Sequence, residues 1–594
     1  MKKPPAQWPL KNQSLNGLLF FYHHSMELLD TRSRESDKAP HSNVKGKTLE
    51  AIKLFLSIEK NETKSFYLSY VLDELINALR NDNVAQVCLD TNYKYILEGL
   101  SDVENHSRLR STLLQLDGIL SNTYKDELFR SVRHLVEDGK SKRELYNVTK
   151  NLICELIGSG YSARFIKTEL VKINKTTCAT GGFDFDDFLA AFSGQHFTYF
   201  CYCGIPIAPA KYIEGNKNLK LETVSPNNKV IGCTKEELKL IKEDYYNILK
   251  LPVPGLDYYS AKENLDDFLS YITSAINFYD HSSNLSWSKS AYICREDEKR
   301  GKVIRGTKPL MTQTYDVPRE TIHKLFDMKL ADLFSPKRRS ASSYAKISAT
   351  LSGHANALQS PKPETQIVTL WSALETLLPL KGEMRTLEYY FKFMIPAIEM
   401  GHARKEFLTF FGKTKHNYRE AFLDILHQEE RGEGLLERFI KCVLLDSQKE
   451  KYDLILQMLS DNPYSKFRLE RIKDKYKSLK TIRKKRAQEK QRLQWQITRI
   501  YRARNSITHA GESPFNTGVI LTNLHEYYDR IHTNFDIYRT NYPKVGEIKD
   551  IFSLIISDYN NQSRKIDEYI NNGAVLSEDN IFDILNIKDK TVFY

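Results

Sequence analysis

Apolar residues fall in steps of three and four through most of this chain, the spacing of one stripe on a 3.6-residue helix, and that restricts the fold to a mainly helical architecture. The pattern predicts helices over Gly17 to Leu29, Leu49 to Ile58, Phe66 to Leu79, Val84 to Leu97, Ser107 to Leu120 and Lys125 to Glu137. Polar breaks such as Arg80-Asn-Asp-Asn83 separate them. Lys142 to Ile157 is a further helix, closed by Gly158-Ser-Gly160, with Ser162 placed to cap the next. The pattern returns at Lys337 with a helix that stops at Ser360, before Pro361 and Pro363. A helix with Ile367, Leu370, Trp371, Leu374 and Leu378 as its buried stripe follows, and residues 383 to 460 supply several more. The last helices cover Leu521 to Tyr538, Ile548 to Ile570 and Ile581 to Ile587.

From about residue 180 the texture changes. Gly181-Gly182 leads into Phe183-Asp-Phe-Asp-Asp-Phe188 and then His196-Phe-Thr-Tyr-Phe-Cys-Tyr-Cys203, whose aromatic content at strand length predicts β structure. Leu219 to Val224, Lys229 to Cys233 and Ser286 to Arg295 are further strands. Thr234-Lys-Glu-Glu237 opens a helix as a capping box, and Ser260 to Tyr279 is another helix. The expected organisation is therefore mainly α and multi-domain: an N-terminal helical domain over 1–178, a small α/β domain over 179–334, a helical bundle over 335–545 and a helical tail over 546–594. A chain of 594 residues suits that number of domains.

Several function classes drop out. No apolar run approaches the ~18 residues needed to cross a bilayer, and Lys2 and Lys3 are followed by Pro4, Pro5 and Pro9 rather than a secretion signal, so a cytoplasmic protein without membrane contact is expected. There is no glycine-rich loop ending in Gly-Lys-Ser/Thr and no Gly-x-Gly-x-x-Gly after a strand, which excludes the usual nucleotide-hydrolysing modules. The eight cysteines form no disulfide or zinc spacing; a site from His196, Cys201, Cys203 and Cys233 would need ligands only two residues apart. Asp184, Asp186 and Asp187 could hold a divalent metal, but acids just before Phe188-Leu-Ala-Ala-Phe192 also suit a helix N-terminus. No cofactor and no metal are expected.

The net charge of +12 is localised. From Lys466 to Arg504 there are 16 lysines and arginines against Glu470, Asp474 and Glu489, so the rest of the chain is close to neutral. Such a run is either a solvated helix face or a surface whose self-repulsion is relieved by a polyanion. Ile472, Tyr476, Leu479 and Ile482 give it an apolar side before Arg483-Lys-Lys-Arg486 interrupts.

This segment runs into Tyr501-Arg-Ala-Arg504-Asn505-Ser-Ile-Thr-His509-Ala-Gly511-Glu512. Leu493, Ile497 and Ile500 mark one helix face, and Arg504 takes the next position on it, where a core residue is expected. A guanidinium there must find an anionic or hydrogen-bonding partner. His509 would stand about 140° round a straight helix from Arg504, so the helix is expected to loosen or end here, with Gly511 as a left-handed cap. A histidine in a last turn is favoured in its protonated form, which suits a proton donor. Arg130 with His134, and Arg319 with His323, are one residue closer and read as ordinary helical neighbours.

Arg504-Asn505-x-x-x-His509 resembles the Arg-x(4 to 6)-His signature of the HEPN superfamily, and Gln366-Ile-Val-Thr-Leu-Trp371-Ser-Ala-Leu374-Glu375-Thr-Leu-Leu378 is similar to the tryptophan, leucine and glutamate helix of HEPN proteins from bacterial anti-phage systems. The likeness covers about residues 335 to 545. It implies an all-helical bundle that dimerises around a metal-independent endoribonuclease site. Arg504, Asn505, His509 and Glu375 would be the catalytic set, Glu375 steadying the guanidinium or imidazole. Arg483, Lys484, Lys485, Arg486, Lys490, Arg499 and Arg502 are the expected nucleic-acid contacts. The expected partners are RNA, with tRNA among the candidates, and a second copy of the chain; a toxin-like effector role, with a phage-derived trigger sensed by the N-terminal half, is implied by the family alone. The alternative is a non-catalytic module of this type that binds RNA or another protein.

Overall fold

The computed structural model describes residues 15–206, 210, 222–224, 230, 232–243, 245, 247–280, 286–306, 310–311, 341–427, 434–542 and 544–586. Lys2, Lys3, Pro4, Pro5, Pro9, Arg319, His323, the first residues of the helix expected from Lys337, Lys229 and Ile231 of the strand expected over Lys229 to Cys233, and Ile587 lie outside them, and the described Val230, Gly232 and Cys233 are a turn rather than a strand. The described chain is mainly α-helical with one small antiparallel sheet, as the periodicity predicts. No described helix is long and apolar enough to cross a membrane.

The chain divides into two compact units, residues 1–152 with 310–594, and residues 153–309. This differs from the four expected segments: the N-terminal helices form no separate domain but share a unit with the C-terminal half. In that unit the chain begins with α1 (Asn16–Leu28), α2 (Val44–Glu59), α3 (Phe66–Arg80), α4 (Asn83–Leu89), α5 (Tyr93–Ser101), α6 (His106–Asp138) and α7 (Lys142–Gly158), the last running across the division. Two local differences from the expected helices have physical causes. The stretch expected as one helix over Val84 to Leu97 is broken at Asp90, whose φ is +44°. Conversely, α6 continues through Ser121 to Tyr124, where polar residues predict a break. Tyr124 is buried there, and its hydroxyl donates to Asp82 Oδ2 at 2.6 Å, so a tertiary anchor overrides the local preference. Asp82 also caps α4, accepting from the amides of Val84 and Ala85.

Unit two contains α8 (Ala163–Thr180), α9 (Phe185–Ala190), β1 (Phe197–Ile205), β2 (Glu222–Val224), α10 (Lys235–Lys242), β3 (Asn247–Gly255), α11 (Tyr258–Tyr279), β4 (Ala291–Arg295) and β5 (Lys302–Ile304). The sheet order is β2-β3-β1-β4-β5, with Phe197 opposite Gly255 and Tyr199 opposite Arg295. The period of two sends Tyr199, Cys201 and Cys203 to one face, where they pack with Ala261, Leu265 and Leu269 of α11. Tyr202 and Tyr292 face the other way, toward Ile241 of α10. The expected caps are present: Ser162 accepts from Phe165 N at 3.0 Å, and Thr234 with Glu237 closes a capping box.

The C-terminal half of unit one continues with α12 (Ala341–Gln359), α13 (Pro363–Leu377), α14 (Thr386–Glu399), α15 (His402–Asn417), α16 (Arg419–His427), α17 (Leu435–Leu444), α18 (Lys449–Met458), α19 (Pro463–Tyr476), α20 (Leu479–Asn505), α21 (Thr517–Asn541), α22 (Ile548–Asn571) and α23 (Ile581–Ile584). The stripe Ile367, Leu370, Trp371, Leu374 and Leu378 is buried as expected, and so are Ile472, Tyr476, Leu479 and Ile482. The basic segment is two helices, because Ser478 restarts the chain with a capping box onto Thr481. α20 packs against α3, α13, α14 and α22, and so sits among elements from both ends of the chain.

Candidate functional site

α20 is α-helical as far as Asn505, and Ser506–Ala510 then winds as a single π-helical turn. The Gly511 amide donates to the Ser506 carbonyl, five residues back, and Gly511 takes the left-handed conformation at φ +66°. Loosening was the expectation; a π turn is the form it takes. An i→i+5 turn is wider than an α turn, so it sets positions five apart closer in angle than the ~140° of a straight α-helix. Arg504 is half-buried, and one of its Nη atoms donates to Asn505 Oδ1 at 3.1 Å. Its Nε is buried with no hydrogen-bond partner. Asn505 is half-buried and His509 faces solvent. An under-satisfied guanidinium is a group that can accept a phosphate.

The segment after the motif is pinned from two sides. Ser513 Oγ donates to Glu364 at the start of α13 at 2.9 Å. His41 Nε2 lies 2.7 Å from the Phe515 carbonyl, and the Asn516 amide donates to the His41 carbonyl. Burial first, and then the nearby Arg499, pushes His41 down to about 3, so the ring is neutral and its Nε2–H is the donor. His41 drew no attention as a sequence feature, because nothing local marks it.

Behind the motif, Trp371 of α13, Tyr390 of α14 and Tyr501 of α20 form an aromatic triangle with centroids 5.0 to 5.8 Å apart. Glu375 is half-buried and accepts the Tyr390 hydroxyl. The structure therefore gives Glu375 to Tyr390 rather than to Arg504 or His509, bracing α13 against α14.

The expected nucleic-acid residues separate into two groups. Arg499 is buried and paired with Glu74, and with Glu50 at 3.2 Å; Arg502 reaches Glu50 at 2.7 Å. Lys47 joins Glu74 at 2.8 Å. Although burial opposes it, these cations hold both carboxyls below their usual range. Arg499 and Arg502 are thus corrected from RNA contacts to internal ion pairs. Lys485 and Arg492 both hold Glu489. Arg486 donates to Gln562 and Ser563 of α22 and stacks over Tyr559. Upstream, Arg468 meets Glu27 and Asp37 at 3.0 and 2.6 Å. The sequence reads Arg468, Arg499 and Arg502 as uncompensated because their partners lie hundreds of residues away. What remains exposed is Lys480, Arg483, Lys484 and Lys490 of α20, with Arg483 also 3.0 Å from Asp567, and Lys477 in the break before it, which holds Asp474 at 2.9 Å.

The other metal readings resolve as structure. Cys201 and Cys203 are buried in the sheet core, burial holding the Cys203 thiol up at about 12, whereas Cys233 packs on the opposite face and His196 is exposed. Asp184 caps α9 by accepting from Asp186 N at 2.8 Å. Comparison with known proteins yields no match to a family model, a curated protein or a solved structure.

Proposed function

We propose that this chain is an endoribonuclease of the HEPN type that its Arg504 motif resembles, cleaving RNA through its own 2′-hydroxyl. The supporting observation is the π turn between Arg504 and His509, because it reduces the angular separation that a straight helix would impose on the pair. In the reaction the 2′-oxygen bonds to phosphorus as the bond to the 5′-oxygen breaks. One group takes the 2′ proton and another returns a proton to the leaving oxygen. The products are a 2′,3′-cyclic phosphate and a 5′-hydroxyl. Arg504 meets the charge growing on the phosphate, and the Asn505 amide, whose oxygen already accepts from Arg504, keeps its N–H donors for a phosphate oxygen. His509 serves as acid or base. One histidine supplies half of the proton chemistry, so the reading includes a two-fold dimer that brings a second His509 to the groove. Anti-phage defence, tRNA as target and a phage-derived trigger are extensions of the same family likeness.

The exposed cationic row on α20 favours a second reading, in which the chain binds RNA without cleaving it. One experiment separates them. Purified wild-type, Arg504→Ala and His509→Ala proteins are incubated with total RNA in EDTA, and the ends are mapped. Cleavage by wild type with cyclic phosphate ends, reduced about 100-fold or more in either variant, is expected. Equal cleavage by His509→Ala, or binding without new ends in wild type, overturns the nuclease reading.

A further inference from the structure

A second convergence of side chains lies in the same unit, between α12 and α21. His525 and Asp529 are four apart, so one face of α21 presents both, and His354 of α12 meets them. His354 Nε2 is 3.2 Å from His525 Nε2, and His525 Nδ1 is 3.7 Å from Asp529 Oδ2. One ligand atom from each residue lies within 4.8 Å of the others, and among the described residues no other three histidine, cysteine or acidic side chains converge in this way. His525 is buried; His354 and Asp529 are partly so.

The Nε2–Nε2 distance matches a coordination site, while Asp529 stands on the Nδ1 side of His525 and would turn to join it. Two nitrogens bound at ~2.05 Å to a tetrahedral ion stand about 3.3 Å apart, close to the separation the two imidazoles already have. Their rings lie nearly parallel, 17° between planes with centroids 5.3 Å apart, so a turn about the side-chain torsions, with both helices in place, would aim both lone pairs at one ion. Tyr528 stacks on His354 with a centroid separation of 4.9 Å, and its hydroxyl donates to the Thr350 carbonyl at 3.0 Å, which fixes that ring from behind. Glu526 takes Arg530 at 2.6 Å and Lys405 at 4.0 Å, and the Lys405 ammonium also acts on Asp529, so a bound ion would share that carboxylate with it.

We propose that His354, His525 and Asp529 bind a divalent first-row transition-metal ion, leaving a further position for water. Two imidazoles and one carboxylate suit Zn²⁺ or a similar borderline ion better than Mg²⁺ or Ca²⁺, which prefer all-oxygen cages. The ion clamps α12 to α21, the helix that follows the Arg504 motif. The inference does not rest on the ribonuclease reading, and its test does not use RNA. Without an ion, the same nitrogen separation would be a hydrogen bond between complementary tautomers.

The full chain is stripped with chelator, loaded with Zn²⁺, gel-filtered and analysed for metal, and its thermal midpoint is followed with and without Zn²⁺. About one ion per chain is expected, with a midpoint that rises on loading. His525→Gln and Asp529→Asn should bind at least about tenfold more weakly. Wild type that retains no zinc and shows no shift, or variants that hold as much zinc as wild type, overturns the proposal. Because the wild-type shift is decisive alone, a variant that fails to fold does not shelter it.

Discussion

The Arg499 guanidinium, one turn before the Arg504 motif, is ion-paired inside the fold with Glu74 of α3. The pair couples the motif helix to the N-terminal helices. Breaking a buried pair strands a charge, at a cost of about 3–5 kcal/mol, whereas replacing both partners by apolar groups is often neutral. Glu74→Ala should therefore lower unfolding free energy by about that amount, and Arg499→Met with Glu74→Leu should recover part of it, because Lys47 loses its Glu74 partner in both. Urea denaturation of the three proteins measures this. A loss under about 0.5 kcal/mol for Glu74→Ala would return Arg499 to the surface and reopen it as an RNA contact.

Buried carboxylates also set the acid limit. Against the opposing effect of burial, Arg468 and Lys413 hold Glu27 at about 2, and Arg34 with Arg468 holds Asp37 low. Lys475 with Arg34 does the same for Glu406, and Arg499 with Arg502 for Glu50. These groups bind fewer protons folded than unfolded, so their contribution is full above an unfolded value of about 4.3 and is lost as pH falls through the folded values. Glu399, pushed up by burial to about 7, has the opposite sign, its contribution declining as pH rises from about 4 to 7. The urea midpoint should drop steeply below about pH 4.3, and Glu27→Gln should flatten that limb while lowering stability at neutral pH. A midpoint unchanged down to pH 3 would mean the carboxylates are solvated.

What the sequence could not disclose follows from these pairs. The buried stripe around Trp371, the caps at Ser162 and Thr234 and the loosening at Arg504 are encoded within a few residues, and each was legible. Tyr124 carrying a helix through a polar stretch, Glu50 and Glu74 neutralising Arg499, and Tyr390 claiming Glu375 depend on partners far along the chain. The two-unit division was missed for the same reason. Periodicity shows that a helix has an apolar face, but not which helix covers it.

The cationic row on α20 makes a separable claim. Lys480, Arg483, Lys484 and Lys490 are exposed, whereas Arg486 is bonded to Gln562 and Ser563. Reversing the four exposed charges should weaken RNA binding uniformly across sequences and reduce its salt slope, with little change in thermal midpoint. Arg486→Glu should instead lower the midpoint, since it cuts α20 from α22. Filter binding at several salt concentrations with a melting curve distinguishes them. Unaltered affinity after the four reversals would leave the row as a solvated helix face.

Two glycines offer a matched test of the π turn. Gly511 closes it at φ +66°, and Gly573, in the turn after α22, has the same φ. A methyl group added at either would meet no atom within 4 Å, so alanine costs each site only the left-handed strain, roughly 1–2 kcal/mol. Both variants should therefore melt about 1–2 °C lower, by similar amounts. Only Gly511→Ala relaxes the turn that, on the proposed reading, aims His509, and small displacements of a catalytic group cost up to about 100-fold in rate. Cleavage by Gly511→Ala should fall at least about tenfold below that of Gly573→Ala at equal stability. Equal rates in the two variants would show that the turn is only a helix terminus, and the positioning argument for Arg504 and His509 would fail with it.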